Sequence, residues 1–123
     1  MNMLTLAYMG DAVYEERIRE YLISTGLCKV NDLQKEAVKY VSAKSQSDYL
    51  KKMIDEGFLS EEELNIVTCA RNHKNNHKPK YTDIITYKNA TGLEALIGQL
   101  YFDKNNDRIN EIIDFITGGH NGN

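Results

Sequence analysis

The sequence predicts an all-α protein. Three observations carry that expectation. Apolar residues recur at helical spacing through nearly every segment, no run alternates strictly between apolar and polar, and helix start and stop signals fall between the periodic stretches. The 123 residues are 41% hydrophobic and 27% charged, the balance of a soluble globular protein. A chain of this length reads as one domain, residues 1–123, able to bury roughly two-thirds of its unfolded surface.

The first helix is expected over about residues 4–24, with Gly26 as its stop. Its early part is apolar almost all round and is expected to be central and buried. Further along, Ile18, Tyr21 and Leu22 fall inward while Glu16, Arg19 and Glu20 fall outward. Asn31 can cap a second helix, from Asp32 to about Tyr40. A third runs from about Ser42 to Glu56, with Tyr49, Leu50, Met53 and Ile54 at helical spacing, and Gly57 stops it. Ser60-Glu61-Glu62-Glu63 fits a capping box, which starts a fourth helix with Leu64, Val67 and either Cys69 or Ala70 inward. The stretch from Asn72 to Lys80 has no apolar residue except Pro79 and reads as an exposed, mobile loop. Periodicity returns by about Ile84 and is strong from Leu93 to Phe102. A last helix follows from about Asp107 to Ile116, and residues 117–123 read as a frayed tail. Tyr14, Tyr21 and Tyr101 share faces with aliphatic residues and are expected in the core or at a dimer seam.

No apolar run is long enough to span a membrane, and the N-terminus lacks the basic start and cleavage site of a secretory signal. Cys28 and Cys69 are isolated, without CxxC spacing, and read as reduced, partly buried thiols of a cytoplasmic protein. The net charge of −3 argues against nucleic-acid binding by bulk charge. Its distribution argues the other way. Residues 71–88 hold Arg71, Lys74, Lys78, Lys80, Lys88, His73 and His77 against the single acid Asp83, and a local patch of this kind decides where a polyanion docks. A merely solvated lysine loop is the plainer account. His73 and His77 have helical metal-ligand spacing but no partnering acid, so hydrogen bonding to RNA or solvent fits them better than zinc.

Two acids stand apart from the surface charges. Asp11 sits in Leu6-Ala7-Tyr8-Met9-Gly10-Asp11-Ala12-Val13-Tyr14, and Glu94 in Thr91-Gly92-Leu93-Glu94-Ala95-Leu96-Ile97-Gly98. A bare carboxylate in an apolar setting is costly unless paired, so two of them suggest a shared cation. Ala7, Asp11 and Glu15 share one helical face, and Thr91, Glu94 and Gly98 share another. If the two helices pack, the acids meet, with Gly10, Ala7 and Gly98 leaving room for a hydrated ion and a substrate backbone. Oxygen-only coordination with few carboxylates and several waters suits Mg²⁺, with Mn²⁺ as a substitute. Read singly, Asp11 is equally a helix cap after Gly10, and Glu94 a structural hydrogen-bonding or surface residue. Glu15 and Glu16 read as solvated charges.

These two segments resemble the first and second motifs of the ribonuclease III catalytic domain, in identity and in separation. The chain is similar in particular to the Mini-ribonuclease III branch, which has no double-stranded-RNA-binding domain. Val41-Ser42-Ala43-Lys44-Ser45-Gln46 and Arg71-Asn72-His73-Lys74 resemble further motifs of that branch, and the similarity runs from about Leu4 to Ile116. The resemblance implies a helical homodimer in the cytoplasm that cuts double-stranded RNA with Mg²⁺, leaving 5′-phosphate and 3′-hydroxyl ends. It implies maturation of precursor large-subunit (23S) ribosomal RNA, with a ribosomal protein as a candidate further partner. It makes Asp11 and Glu94 the catalytic metal ligands, with Glu15 a candidate for the outer shell, and gives Arg71, Lys74, Lys78 and Lys80 to the RNA backbone. Two acids of the larger family are missing: Ala7 and Thr91 stand in their places, as similar losses do in the Mini branch. Those losses keep a competing reading open, a non-catalytic RNA- or ribosome-binding module on the same fold. A helical protein-interaction domain, with Asp11 a cap, is a third, and it leaves the basic cluster unexplained.

Overall fold

A computed structural model of the chain describes residues 1–73 and 83–118. Six helices account for nearly all of them: α1 (Met3–Ser24), α2 (Val30–Val41), α3 (Ala43–Asp55), α4 (Glu61–Arg71), α5 (Ile84–Phe102) and α6 (Asn106–Thr117). No strand occurs among the described residues. The all-α expectation therefore holds. Lys74, Lys78, Lys80 and His77, with the expected mobility of their loop, lie outside the described residues, as do 119–123 of the expected tail.

Local signals place most helix ends. Ser42 caps α3, with its hydroxyl accepting from the Ser45 N–H. Ser60 and Glu63 form the reciprocal capping box at the start of α4. Asp83 caps α5, one oxygen accepting from the Thr86 N–H at 2.9 Å and the other from the Thr86 hydroxyl at 2.8 Å. Gly26 and Gly57 follow α1 and α3 with φ of 100° and 68°, a backbone region that favours glycine. Asn31 is not a cap. α2 starts two residues earlier, at Val30, after Lys29, which makes no side-chain capping bond, so Asn31 lies within the first turn.

α5 is the central element. It packs on α1, α3, α4 and α6, and from Asn89 to Gly98 every residue but Glu94 is buried. The core gathers around it: Tyr14, Ile18, Leu50, Met53, Ile109 and Ile112 are all fully buried. The expectation that early α1 is buried all round is corrected. Leu6, Ala7, Gly10, Val13 and Tyr14 are buried, but Tyr8 is 81% exposed, and Asp11 and Ala12 are exposed. The apolar stripe is simply wider than the surface α5 covers. Cys28 and Cys69 are exposed rather than partly buried, and α4 turns Ala70 inward instead of Cys69. Tyr101 is 42% exposed, on the surface near the end of α5.

α6 is fastened by a charged clamp. Arg108 donates to both oxygens of Glu63 at 2.8 Å, to the Phe58 carbonyl at 2.7 Å and to Glu111 at 2.9 Å, with its guanidinium over the Phe58 ring. The Arg108 and Glu63 side chains are only 20% and 10% exposed. The Arg108 guanidinium beside Glu63 holds that carboxyl below the usual range. Arg108→Ala is expected to cost ~3–5 kcal/mol in urea unfolding, because Glu63 is left buried without its cation. The sign with pH follows. A lowered carboxyl stabilises the fold above its ordinary pKa and loses that contribution as pH falls through its folded value. The variant should therefore show a shallower acid loss than wild type, and equal acid profiles would refute the clamp's role.

Candidate active site

Asp11 and Glu94 meet where α1 crosses α5, and they do so because two glycines let the backbones touch. A methyl group built on Gly10 would overlap the Glu94 carbonyl, and one built on Gly98 would overlap the Leu6 carbonyl. The expectation that these glycines leave room for an ion and a substrate is therefore corrected. Their space is filled by main chain. Close approach of the two axes brings the side chains of neighbouring residues, Asp11 and Glu94, within hydrogen-bonding reach of each other.

The two acids sit in unequal surroundings. Asp11 is exposed and Glu94 is mostly buried. Burial pushes the Glu94 carboxyl up to about 9, and the hydrogen bond with Asp11 and the charge on Asp11 push the same way. The Gln46 amide opposes them: its Nε2 donates to Glu94 Oε2 at 3.5 Å. Tyr14, fully buried below the pair, donates its hydroxyl to the Tyr40 carbonyl at 2.7 Å, and burial holds its phenol far above the tyrosine range. Glu15 is near enough for its charge to raise Glu94 slightly, but its carboxylate pairs with Arg19 at 3.1 Å. Among the described residues no three His, Cys, Asp or Glu side chains gather as a metal-binding set.

The pair nevertheless fits a divalent cation. Two carboxylates face each other, no cationic side chain among the described residues acts on Glu94, and Glu94, the more buried of the two, carries the cost in its raised pKa. An ion would supply the missing charge. The exposure of Asp11 leaves one side open for water or phosphate oxygens to complete the shell, the coordination Mg²⁺ favours.

Arg71 ends α4, and its aliphatic stem lies against Gly92, two residues before Glu94. Its Nε is buried and has no hydrogen-bond partner among the described residues. Gly92 and Glu94 are two apart on α5 and face different ways, so the structure sets Arg71 against the α4 side of α5 and not against the acid pair. Lys88 is half-buried on α5, beside a crevice lined also by His73, Tyr87 and Thr91. Gln46 is the residue that reading by charge passed over. Its signal was present, since it falls in register with Leu50 and Met53 on the apolar face of α3, where a long amide has no packing advantage.

A model of the Ribonuclease III domain matches residues 4–105. The chain is 47% identical over 112 residues to the Mini-ribonuclease 3 of Brevibacillus brevis, covering 91% of this chain and 82% of that one. It is 40% identical to the Mini-ribonuclease 3 of Staphylococcus aureus, covering 94% and 87%. A crystal structure of a Fusobacterium nucleatum protein superposes with a TM-score of 0.85 at 37% identity, covering 96% of this chain and 94% of that one.

Proposed function

This chain belongs to the ribonuclease III family, in its Mini-ribonuclease III branch, and on that footing we propose that it is a Mg²⁺-dependent endoribonuclease cutting double-stranded RNA at Asp11 and Glu94. The observation that carries the reading is the acid pair itself: two carboxylates brought together by a glycine-lined helix crossing, with no cation among the described residues acting on Glu94. A structural cap would not need a second acid facing it, and a pure RNA-binding surface would gain nothing from one.

Hydrolysis adds water across one phosphodiester. The water oxygen bonds to phosphorus, the bond from phosphorus to the 3′ oxygen breaks, and the 3′ oxygen takes up a proton. The ends are then a 5′-phosphate and a 3′-hydroxyl. Asp11 and Glu94 would hold the ion, which when bound would polarise the phosphoryl group and lower the pKa of a water. Arg71, Lys74, Lys78 and Lys80 supply cations for the phosphates of the duplex. A-form RNA is recognised largely through its phosphates and 2′-hydroxyls, so a cationic strip serves where base readout is not needed.

The substrate follows from the family parallel: precursor large-subunit (23S) ribosomal RNA, in the cytoplasm. Among the described residues no helix is long and apolar enough to cross a membrane. The working unit is a homodimer, one site for each strand. Uncovered apolar surface supports it. Tyr8 projects one turn from Asp11, and a groove of about 480 Å³ between α1 and α2 is lined by Leu22, Ile23, Val30, Leu33 and Val38. No residue of α2 is fully buried within one chain.

The test is incubation with a long, perfect RNA duplex in Mg²⁺ and then in EDTA. Shortened products bearing 5′-phosphates in the first and none in the second are expected; binding without cutting would leave the RNA-binding module as the better account. Lys74→Ala with Lys78→Ala is expected to weaken duplex binding at moderate salt; lower salt should raise the variant's own affinity while widening its deficit against wild type. Removing a lysine that neutralises one phosphate should flatten the plot of log affinity against log salt by about 0.7–0.9. An unchanged slope in filter binding would show that these lysines do not touch phosphate.

A further inference from the structure

The proposed chemistry uses Asp11 and Glu94 but does not explain why the neutral amide of Gln46 is buried beside them. Gln46 is 2% exposed on the inward face of α3. Leucine or methionine would fill that volume without the cost of burying an amide. The next residue, Ser47, is buried too, and its hydroxyl accepts from Asn89 Nδ2 at 3.0 Å. Asn89 and Glu94 both belong to α5. Consecutive polar side chains of α3 therefore engage α5 at two points, Asn89 and Glu94, separated by about a turn and a half. The Gln46 backbone is fixed as well, its N–H donating to the Ser42 carbonyl at 2.9 Å in the turn that Ser42 caps.

We propose that Gln46 is a positioning residue for Glu94, its amide holding one carboxylate oxygen so that the group is presented toward Asp11 in a single orientation ready for a divalent ion. The inference rests on the reading of Asp11 and Glu94 as the ion site and deepens it. An amide suits the task by its chemistry. It donates a hydrogen bond to the carboxylate but carries no charge, so it neither neutralises Glu94, as Lys or Arg would, nor repels it, as another acid would. Partners of this kind fix a ligand's orientation without touching the ion.

Gln46→Met keeps length and volume and removes the donor. Its melting temperature and duplex binding without divalent ions are expected to stay close to wild type. The dissociation constant for Mn²⁺, followed by electron paramagnetic resonance of the full chain without RNA, should rise about 10-fold or more. Cleavage should need correspondingly more Mg²⁺ and return at excess Mg²⁺, a rescue that Glu94→Gln should not show. Wild-type Mn²⁺ affinity in Gln46→Met, with affinity lost in Glu94→Gln, overturns the role of Gln46 and leaves the ion site standing. Wild-type affinity in both variants overturns the ion site and the inference with it. Should Gln46→Met fail to fold, ¹⁵N resonances of the wild-type protein decide: the Gln46 side-chain amide pair should shift as Mg²⁺ saturates, and an unmoved pair overturns the proposal.

Discussion

Glu94→Gln should abolish cleavage of duplex RNA and, in the same protein, raise the stability of the metal-free fold. Both effects come from one cause. The Glu94 carboxyl is buried against Asp11 and pushed up to about 9, so in the absence of an ion the folded state holds a proton that the unfolded state releases. The sign follows from linkage. Where the folded state binds more protons, stability falls as pH rises, here from about 4.5 toward 9. The neutral amide has no such slope. At pH 8 in EDTA the variant is expected to gain ~1–3 kcal/mol in urea unfolding, the scale of relieving a poorly satisfied buried charge. Mg²⁺ should stabilise wild type and leave the variant unmoved. Cleavage should fall by about 10³-fold or more, since the ion's contribution to the transition state is worth several kcal/mol. Asp11→Asn should lose cleavage similarly. A Glu94→Gln protein that cut normally, or that melted with the wild-type pH slope, would show that the acid pair is not the ion site.

Gly10→Ala should be the most damaging single-methyl addition in the chain. The new carbon would overlap the Glu94 carbonyl, and Gly98→Ala would do the same at the Leu6 carbonyl. Ordinary overpacking of side chains costs ~1–3 kcal/mol because side chains can yield. Here both partners are helix backbone at the most extensive helix packing in the fold, so a loss above ~4 kcal/mol is expected. Gly26→Ala is the control. Nothing lies within 4 Å of its added carbon, and only its φ of 100° opposes the change, which should cost about 1 kcal/mol. Urea denaturation of the three variants gives the order, and equal losses would mean that glycine's backbone freedom, not close approach, is what Gly10 supplies. Any Gly10→Ala protein that remains folded must hold the helices further apart, so its cleavage should fall more than its stability alone predicts.

Much of this was legible from residue patterns because helical proteins record their elements locally. Ser60 and Glu63 announced the start of α4, Gly57 the end of α3, and the spacing of Ile109, Ile112 and Ile116 the inner face of α6. The pairing of Asp11 with Glu94 was legible as chemistry, two acids out of place in apolar company. What was not legible depends on partners distant in the chain. Gly10 and Gly98 looked like vacant space because a sequence does not show which backbone fills a gap. The exposure of Tyr8 was hidden because an all-round apolar helix reads the same whether its last face meets its own fold or another surface. The partner of Arg108 was hidden because Glu63 lies forty-five residues earlier in the chain. Gln46 gave a signal, a polar residue in an apolar register, but only geometry names its acceptor.

Asp83 bears on the proposed meeting of the cationic stretch with RNA. It is the one acid between residues 71 and 88, and its two oxygens already accept from the backbone and hydroxyl of Thr86. Its negative charge thus answers the exposed amides at the head of α5, and the bonds to Thr86 keep that carboxyl ionised below the usual range. The start of the helix that carries Glu94 and the positive field around it are consequently governed by different atoms. Ionic strength can screen the field without loosening the helix, so salt should modulate how RNA arrives and leave intact the place where it is cut.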